Sequence, residues 1–170
     1  MSRHGMQLGF LKFVILLVAV TVVMPTPFLT AAEDGTFTGT WIASGERQVQ
    51  DFVEGREVFT FRVKGHVNLK DGLGEVADFW SACSGLWDAE TGSTARCVWR
   101  GLEGQKVFIV MNRQPLKEGA QVTGEIIGGT GKLEGIEGAF TFTWATVFID
   151  EDNNTLTGHT ENISGTYRLP

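Results

Sequence analysis

The sequence predicts an all-β fold: one antiparallel sheet of eight strands closed into a barrel. The first observation is a period of two. Phe59, Phe61, Val63, Val67 and Leu69 fall on one parity and Thr60, Arg62, Lys64, His66 and Asn68 on the other, as in a half-buried strand. The second is that 170 residues hold 22 Gly and only 4 Pro. Glycine supplies tight turns and bulges, whereas proline would delete ladder hydrogen bonds. The third is that no window beyond position 32 shows a capped 3.6-residue apolar repeat, so helix content should be very low. A sheet of this size must hide its edges, and closure removes them. A two-sheet sandwich is the alternative.

Taken in order, Thr36 to Ser44 mixes β-branched and aromatic residues and reads as a first strand stopping at Gly45. Val58 to Leu69 is the alternating strand, after which Asp71-Gly72 is expected to reverse the chain. Glu75 to Cys83 and Ala95 to Arg100 are further strands around the polar, turn-rich stretch SGLWDAETGST, and Lys106 to Asn112 and Gln121 to Ile127 follow. In Ala139 to Ile149, Phe140, Phe142, Trp144 and Phe148 share one parity, which implies a thick core or a lined cavity. Ile163 to Leu169 is the last strand. No composition shift divides the chain beyond residue 32, so 33–170 reads as one barrel domain.

The opening of the chain has a different character. A basic start (Arg3, His4, Lys12) leads into the 12-residue apolar run Phe13 to Met24, whose one polar residue is Thr21, then into PTPFLTAA. That is the pattern of a secretory signal, 1–32, with cleavage expected after Ala32. The apolar run falls short of the roughly 20 residues that span a bilayer as a helix, so no membrane span should survive cleavage. The expected location is periplasmic or secreted. Removing the segment takes away two basic and no acidic residues, which leaves 12 basic against 20 acidic side chains, a net of −8. So acidic a surface argues against nucleic acid as a partner. In an oxidising compartment Cys83 and Cys97, the only two cysteines, are expected to pair.

Several motifs invite chemistry and lose to plainer readings. The run GGTGKLEGIEG, from Gly128 to Gly138, lacks the Gly-Lys-Ser/Thr that opens a phosphate-loop helix. Gly128, Gly129, Gly131, Gly135 and Gly138 read instead as turn and bulge residues that let the sheet bend. Asp150 to Glu161 has the oxygen spacing of a calcium loop, but Thr155 stands where glycine is required and strands flank it, so a polar hairpin turn is preferred. His66 is in phase with Arg62 and Lys64 and belongs on a solvated face. No Ser-His-Asp set, HExxH or CxxC is present, so no catalytic residues are assigned and no cofactor or metal is expected. Trp41 is either core filler or a plug at one barrel end, with Arg168 over its ring as a cation–π partner.

The segment IIGGTGKLEGIEGAFTF (Ile126 to Phe142) resembles the glycine-rich stretch before a β-strand in the allene oxide cyclase-like barrels, a superfamily that includes the dirigent proteins. CVWRGLEGQKVFI (Cys97 to Ile109) is similar to a cysteine-to-strand segment of its exported bacterial members. Gly39-Thr40-Trp41 is also similar to the start of lipocalins and avidins. The resemblance covers about seventy residues and implies an eight-stranded barrel with an apolar cavity, but the superfamily's functional residues find no counterparts here. The expected function is therefore an exported barrel that binds a small apolar or aromatic ligand through Trp41, Phe59, Phe61, Phe140, Phe142 and Trp144. A homo-oligomer stays open as a partner. The alternative is a cofactor-free isomerase or cyclase, which would need a carboxylate buried among the aromatics.

Overall fold

The computed structural model describes residues 32–115 and 121–170, so the segment 1–32 expected to be a secretory signal, apart from Ala32, lies outside the described residues. Nine strands make one antiparallel sheet: β1 (Glu33–Val53), β2 (Arg56–Leu73), β3 (Val76–Asp88), β4 (Gly92–Gly101), β5 (Lys106–Arg113), β6 (Gln121–Gly129), β7 (Glu137–Thr143), β8 (Ala145–Asp150) and β9 (Thr155–Leu169). The first seven pair in sequence order, β7 pairs with β9, and β9 pairs with β1. Those eight strands close the barrel. The ninth, β8, continues β7 beyond Trp144 and pairs with the first half of β9. No described helix is long and apolar enough to cross a membrane.

The alternating pattern sets the register. Inward positions of β1, such as Phe37, Trp41 and Ala43, are buried, while Thr38, Thr40 and Ile42 between them are exposed. Pairing carries that parity around the barrel. Arg47 lies opposite Phe61, Phe61 opposite Gly85, Gly85 opposite Ala95, and Ala95 opposite Met111. Every second residue of each strand therefore meets its counterpart inside, and a slip of one position would turn the core out to water.

The two ends of the barrel differ in side-chain size. At one end Phe37, Leu73, Phe79, Trp99, Leu133 and Ile136 are essentially inaccessible and fill the interior. Toward the other end the inward positions turn small, with Ala43, Gly45, Gly85 and Ala95, and the interior opens. Cys83 and Cys97 lie directly opposite across β3 and β4 and form a disulfide. By constraining the unfolded chain, a loop of that length stabilises the fold by about 3 kcal/mol.

Three expectations about the elements need correction. Gly45 does not stop β1. The strand runs through it, because a Cβ there would stand 1.9 Å from the Arg62 carbonyl oxygen, so glycine marks a close approach between paired strands. Asp71 and Gly72, with φ of 62° and 67°, form a bulge inside β2, and the chain reverses afterwards, at Gly74 and Glu75. The segment Ala139 to Ile149 is two strands broken at Trp144, with a further irregularity between Thr146 and Phe148. That extra residue changes the parity, and Phe148, like its neighbours Val147 and Ile149, is exposed although it is in phase with Phe142 in the sequence.

Asp88 closes β3 and anchors the turn to β4. It accepts hydrogen bonds from the Glu90 backbone N–H at 2.9 Å and the Thr91 hydroxyl at 2.7 Å, and it pairs with Arg56 through two guanidinium nitrogens. The Arg56 hydrogen bond, followed by that of Thr91, holds its carboxyl well below the usual carboxylate range. A depressed folded-state pKa contributes stability that is present above the unfolded value, about 4, and is lost as pH falls through the folded one. Asp88→Asn should therefore lower the melting temperature at pH 7, and the gap from wild type should narrow steadily as the pH drops below 4. A gap that stays constant with pH would refute this.

Candidate ligand cavity

The small inward residues leave a cavity of about 320 Å³ between the filled end and the open rim. That is at the lower end of the range for small-molecule sites, roughly 300–1,000 Å³. Its walls are formed by Trp41 of β1, Phe59, Phe61 and Val63 of β2, Cys83 and Trp87 of β3, Ala95 and Cys97 of β4, Met111 of β5, Val122 of β6 and Phe142 of β7, with Trp144, Ile149 and Leu156 toward the β8–β9 hairpin. Nearly all of this surface is hydrocarbon, ring or sulfur.

Trp41 is the fixed point of the wall. Its indole Nε1–H donates to the Ser81 hydroxyl at 2.8 Å, a buried bond that removes the cost of enclosing a polar edge. Its ring meets Phe142 edge-on at 5.7 Å and Trp144 at 4.8 Å. It therefore lines the cavity and plugs neither end. Arg168 is not its partner: that guanidinium lies on the exterior and donates to Asp34 at 3.0 Å. Across the cavity Phe59 and Trp87 stack at 4.7 Å with planes 16° apart, which makes a flat aromatic wall.

Of the six residues expected to meet a ligand, Trp41, Phe59, Phe61, Phe142 and Trp144 come together on this one cavity. Phe140 is in the filled part, 5.3 Å from the Trp99 ring and 6.0 Å from Phe37. Sequence reasoning passed over Trp87, Met111 and the polar residues of the rim. The signal for them was present, because Trp87 is in phase with Cys83, and Arg113 is in phase with Val107, Ile109 and Met111 on an inward face.

The rim carries the cavity's charges. Arg47 points inward from β1, its side chain only 7% exposed, and donates to Glu57 Oε1 at 3.2 Å. Its guanidinium carbon stands 5.8 Å from the centre of the Phe59 ring. Glu57 is the one carboxylate among the described lining residues, and its side chain is 48% exposed. Arg113 lines the wall from β5, and burial pushes its guanidinium below the ordinary arginine value.

The remaining motifs have structural roles. In the glycine run a single 3₁₀ turn, Gly131–Leu133, joins β6 to β7. The backbone N–H groups of Leu133, Glu134 and Ile136 donate to carbonyls within the run, which leaves them unavailable to an anion. Thr130 fastens the run to β5, accepting from the Lys106 N–H at 3.0 Å. At the β8–β9 turn the Asp150 carboxylate accepts from Asn153 Nδ2 at 2.8 Å and from its backbone N–H at 3.1 Å, as in a polar hairpin turn. No metal-ligand cluster occurs among the described residues. His66 is on the exterior, beside Asp78 at 3.3 Å.

No family model and no curated protein matches the chain. Among solved structures, that of the pterocarpan synthase dirigent protein GePTS1 is similar, with a TM-score of 0.48 and 9% identity over 89% of this chain and 99% of that one.

Proposed function

We propose that this protein is an exported barrel that takes up a small, mainly apolar molecule with a flat or aromatic body. The observation that supports this best is the cavity wall. Six aromatic side chains face one space, five from four strands and Trp144 from the break between β7 and β8, with Trp41 held by its bond to Ser81 and Phe59 by its stack on Trp87. Ordered walls bind a flat ligand at little entropic cost, since the rings need not be immobilised on association. The disulfide between Cys83 and Cys97 is compatible with an oxidising compartment. An isomerase of the cyclase type needs a carboxylate enclosed by the aromatics, whereas Glu57 is half exposed at the rim and held by Arg47.

The test uses the neutral fluorescent probe N-phenyl-1-naphthylamine. It should bind at one site and quench tryptophan emission, because Trp41, Trp87 and Trp144 are all on the wall. Ala95 is a small wall residue, so Ala95→Phe should fill the space and abolish the quenching while the protein stays folded. Probe binding that survives Ala95→Phe unchanged would place the site elsewhere and end this reading.

A further inference from the structure

Resting on that reading, we infer that the cavity is built for an acid: a flat apolar body with a single carboxylate, whose head group is received at the rim by Arg113 and Ser93. The two residues lie directly opposite each other across β4 and β5, both on the inward parity and both on the cavity wall. The Nε of Arg113 and the Oγ of Ser93 are each buried with no hydrogen-bond partner among the described residues. A buried polar atom with no partner costs free energy, and an arginine, which keeps its charge in proteins, costs more than a hydroxyl. Two such atoms, on directly paired residues of the wall of an apolar space, lack what a ligand would supply.

The chemistry of the missing partner follows from the donors. A guanidinium is a planar fork matched to a carboxylate, and a serine hydroxyl can donate to one of the same oxygens. Arg113 takes part in none of the ion pairs among the described residues. The other charges nearby already have partners. Glu57, which would repel an acid, is paired with Arg47 at 3.2 Å, and Asp88 with Arg56. Among the described residues the rim is thus left with one cation outside any ion pair, on a protein whose net charge is −6. Beside Ser93, on the strand away from Arg113, stands Trp87 with Phe59 stacked on it. A ligand held by its carboxylate at Arg113 would lay its body along that pair.

The experiment compares 1-naphthaleneacetate with its neutral isostere 1-naphthaleneacetamide by isothermal titration calorimetry. The acid should bind at least about tenfold more tightly, the usual return from hydrogen bonds to a charged group. Arg113→Gln should erase that preference, weakening the acid far more than the amide. Ser93→Ala should reduce the preference in a protein whose charge is unaltered, so the result does not depend on one variant folding well. Equal affinities in wild type, or a preference untouched by both substitutions, overturns the head-group assignment while the cavity reading stands. Failure of both compounds to bind, or binding that Ala95→Phe leaves intact, overturns the cavity reading and the assignment with it.

Discussion

Gly138→Val is expected to lower the melting temperature by roughly 10 °C and to leave much of the protein aggregated on expression. Gly138 stands between Ile126 on β6 and Tyr167 on β9. A Cβ there would come 2.4 Å from the Thr166 carbonyl oxygen and 3.0 Å from the Tyr167 Cα. Both obstacles are backbone, so no rotamer change relieves the clash and two paired strands must separate, at a cost of about 3 kcal/mol or more. Gly131→Val tests the other reason for glycine. There the nearest atom is the Gln105 Cβ at 3.5 Å, so space is adequate, but φ is +65°. A β-branched residue in that conformation costs about 1–3 kcal/mol, so this variant should melt several degrees below wild type, between the other two. Thermal melts without any ligand decide the matter. Wild-type melting by both variants would remove the structural role and return the run to consideration as an anion-binding loop.

Phe140→Ala should be equally damaging, with a loss of about 3–5 kcal/mol, also read by thermal melting without ligand. The ring has glycines on both sides, Gly124 across β6 and Gly165 across β9, and a Cβ at Gly124 would stand 2.2 Å from its Cζ. It occupies the space those glycines vacate and touches the Trp99 ring at 5.3 Å, between the filled end and the cavity. Truncation opens a hole that main chain cannot close, because neither neighbour has a side chain to move into it. If Phe140 instead faced an empty space and served only a ligand, its removal would leave the unliganded protein's melting temperature unchanged.

How far such features are legible in the sequence depends on whether they are local. The alternation in Phe59 to Leu69 exposes β2 directly, because one face of that strand meets the core and the other meets water. The same alternation in Phe140 and Phe142 marks them as inward, yet it does not reveal depth along the barrel axis, which decides that one is core and the other cavity wall. Depth depends on register with β6 and β9, which is set by pairing between strands and not by the pattern within one. Phe148 escaped for a related reason, since the irregularity near Thr146 leaves no turn residue behind to announce it. Gly45 was misread because glycine marks both chain reversals and close strand contacts, and only the partner strand distinguishes them. Arg113 lies one residue past the strand Lys106 to Asn112 expected from the sequence, where nothing local beyond its phase singles it out. What marks it is a buried Nε with no partner among the described residues, and pairing is a property of the folded chain.

The seam between β1 and β9 bears on how the barrel comes into being. Nearly every other contact between neighbouring strands is a hairpin, available as soon as the second strand has been made. At the seam Glu33 meets Leu169, and the Tyr167 hydroxyl donates to Glu33 across a separation of 134 residues. Joining such distant segments carries the largest loop-closure entropy in the molecule and raises the contact order, which slows folding. Until β9 arrives, β1 and β7 are both open edges with unpaired backbone groups, and a meander in that state can recruit another chain as readily as its own last strand. The final fifteen-residue strand thus does more than complete a ring: it ends the interval in which the growing sheet is vulnerable to misassembly.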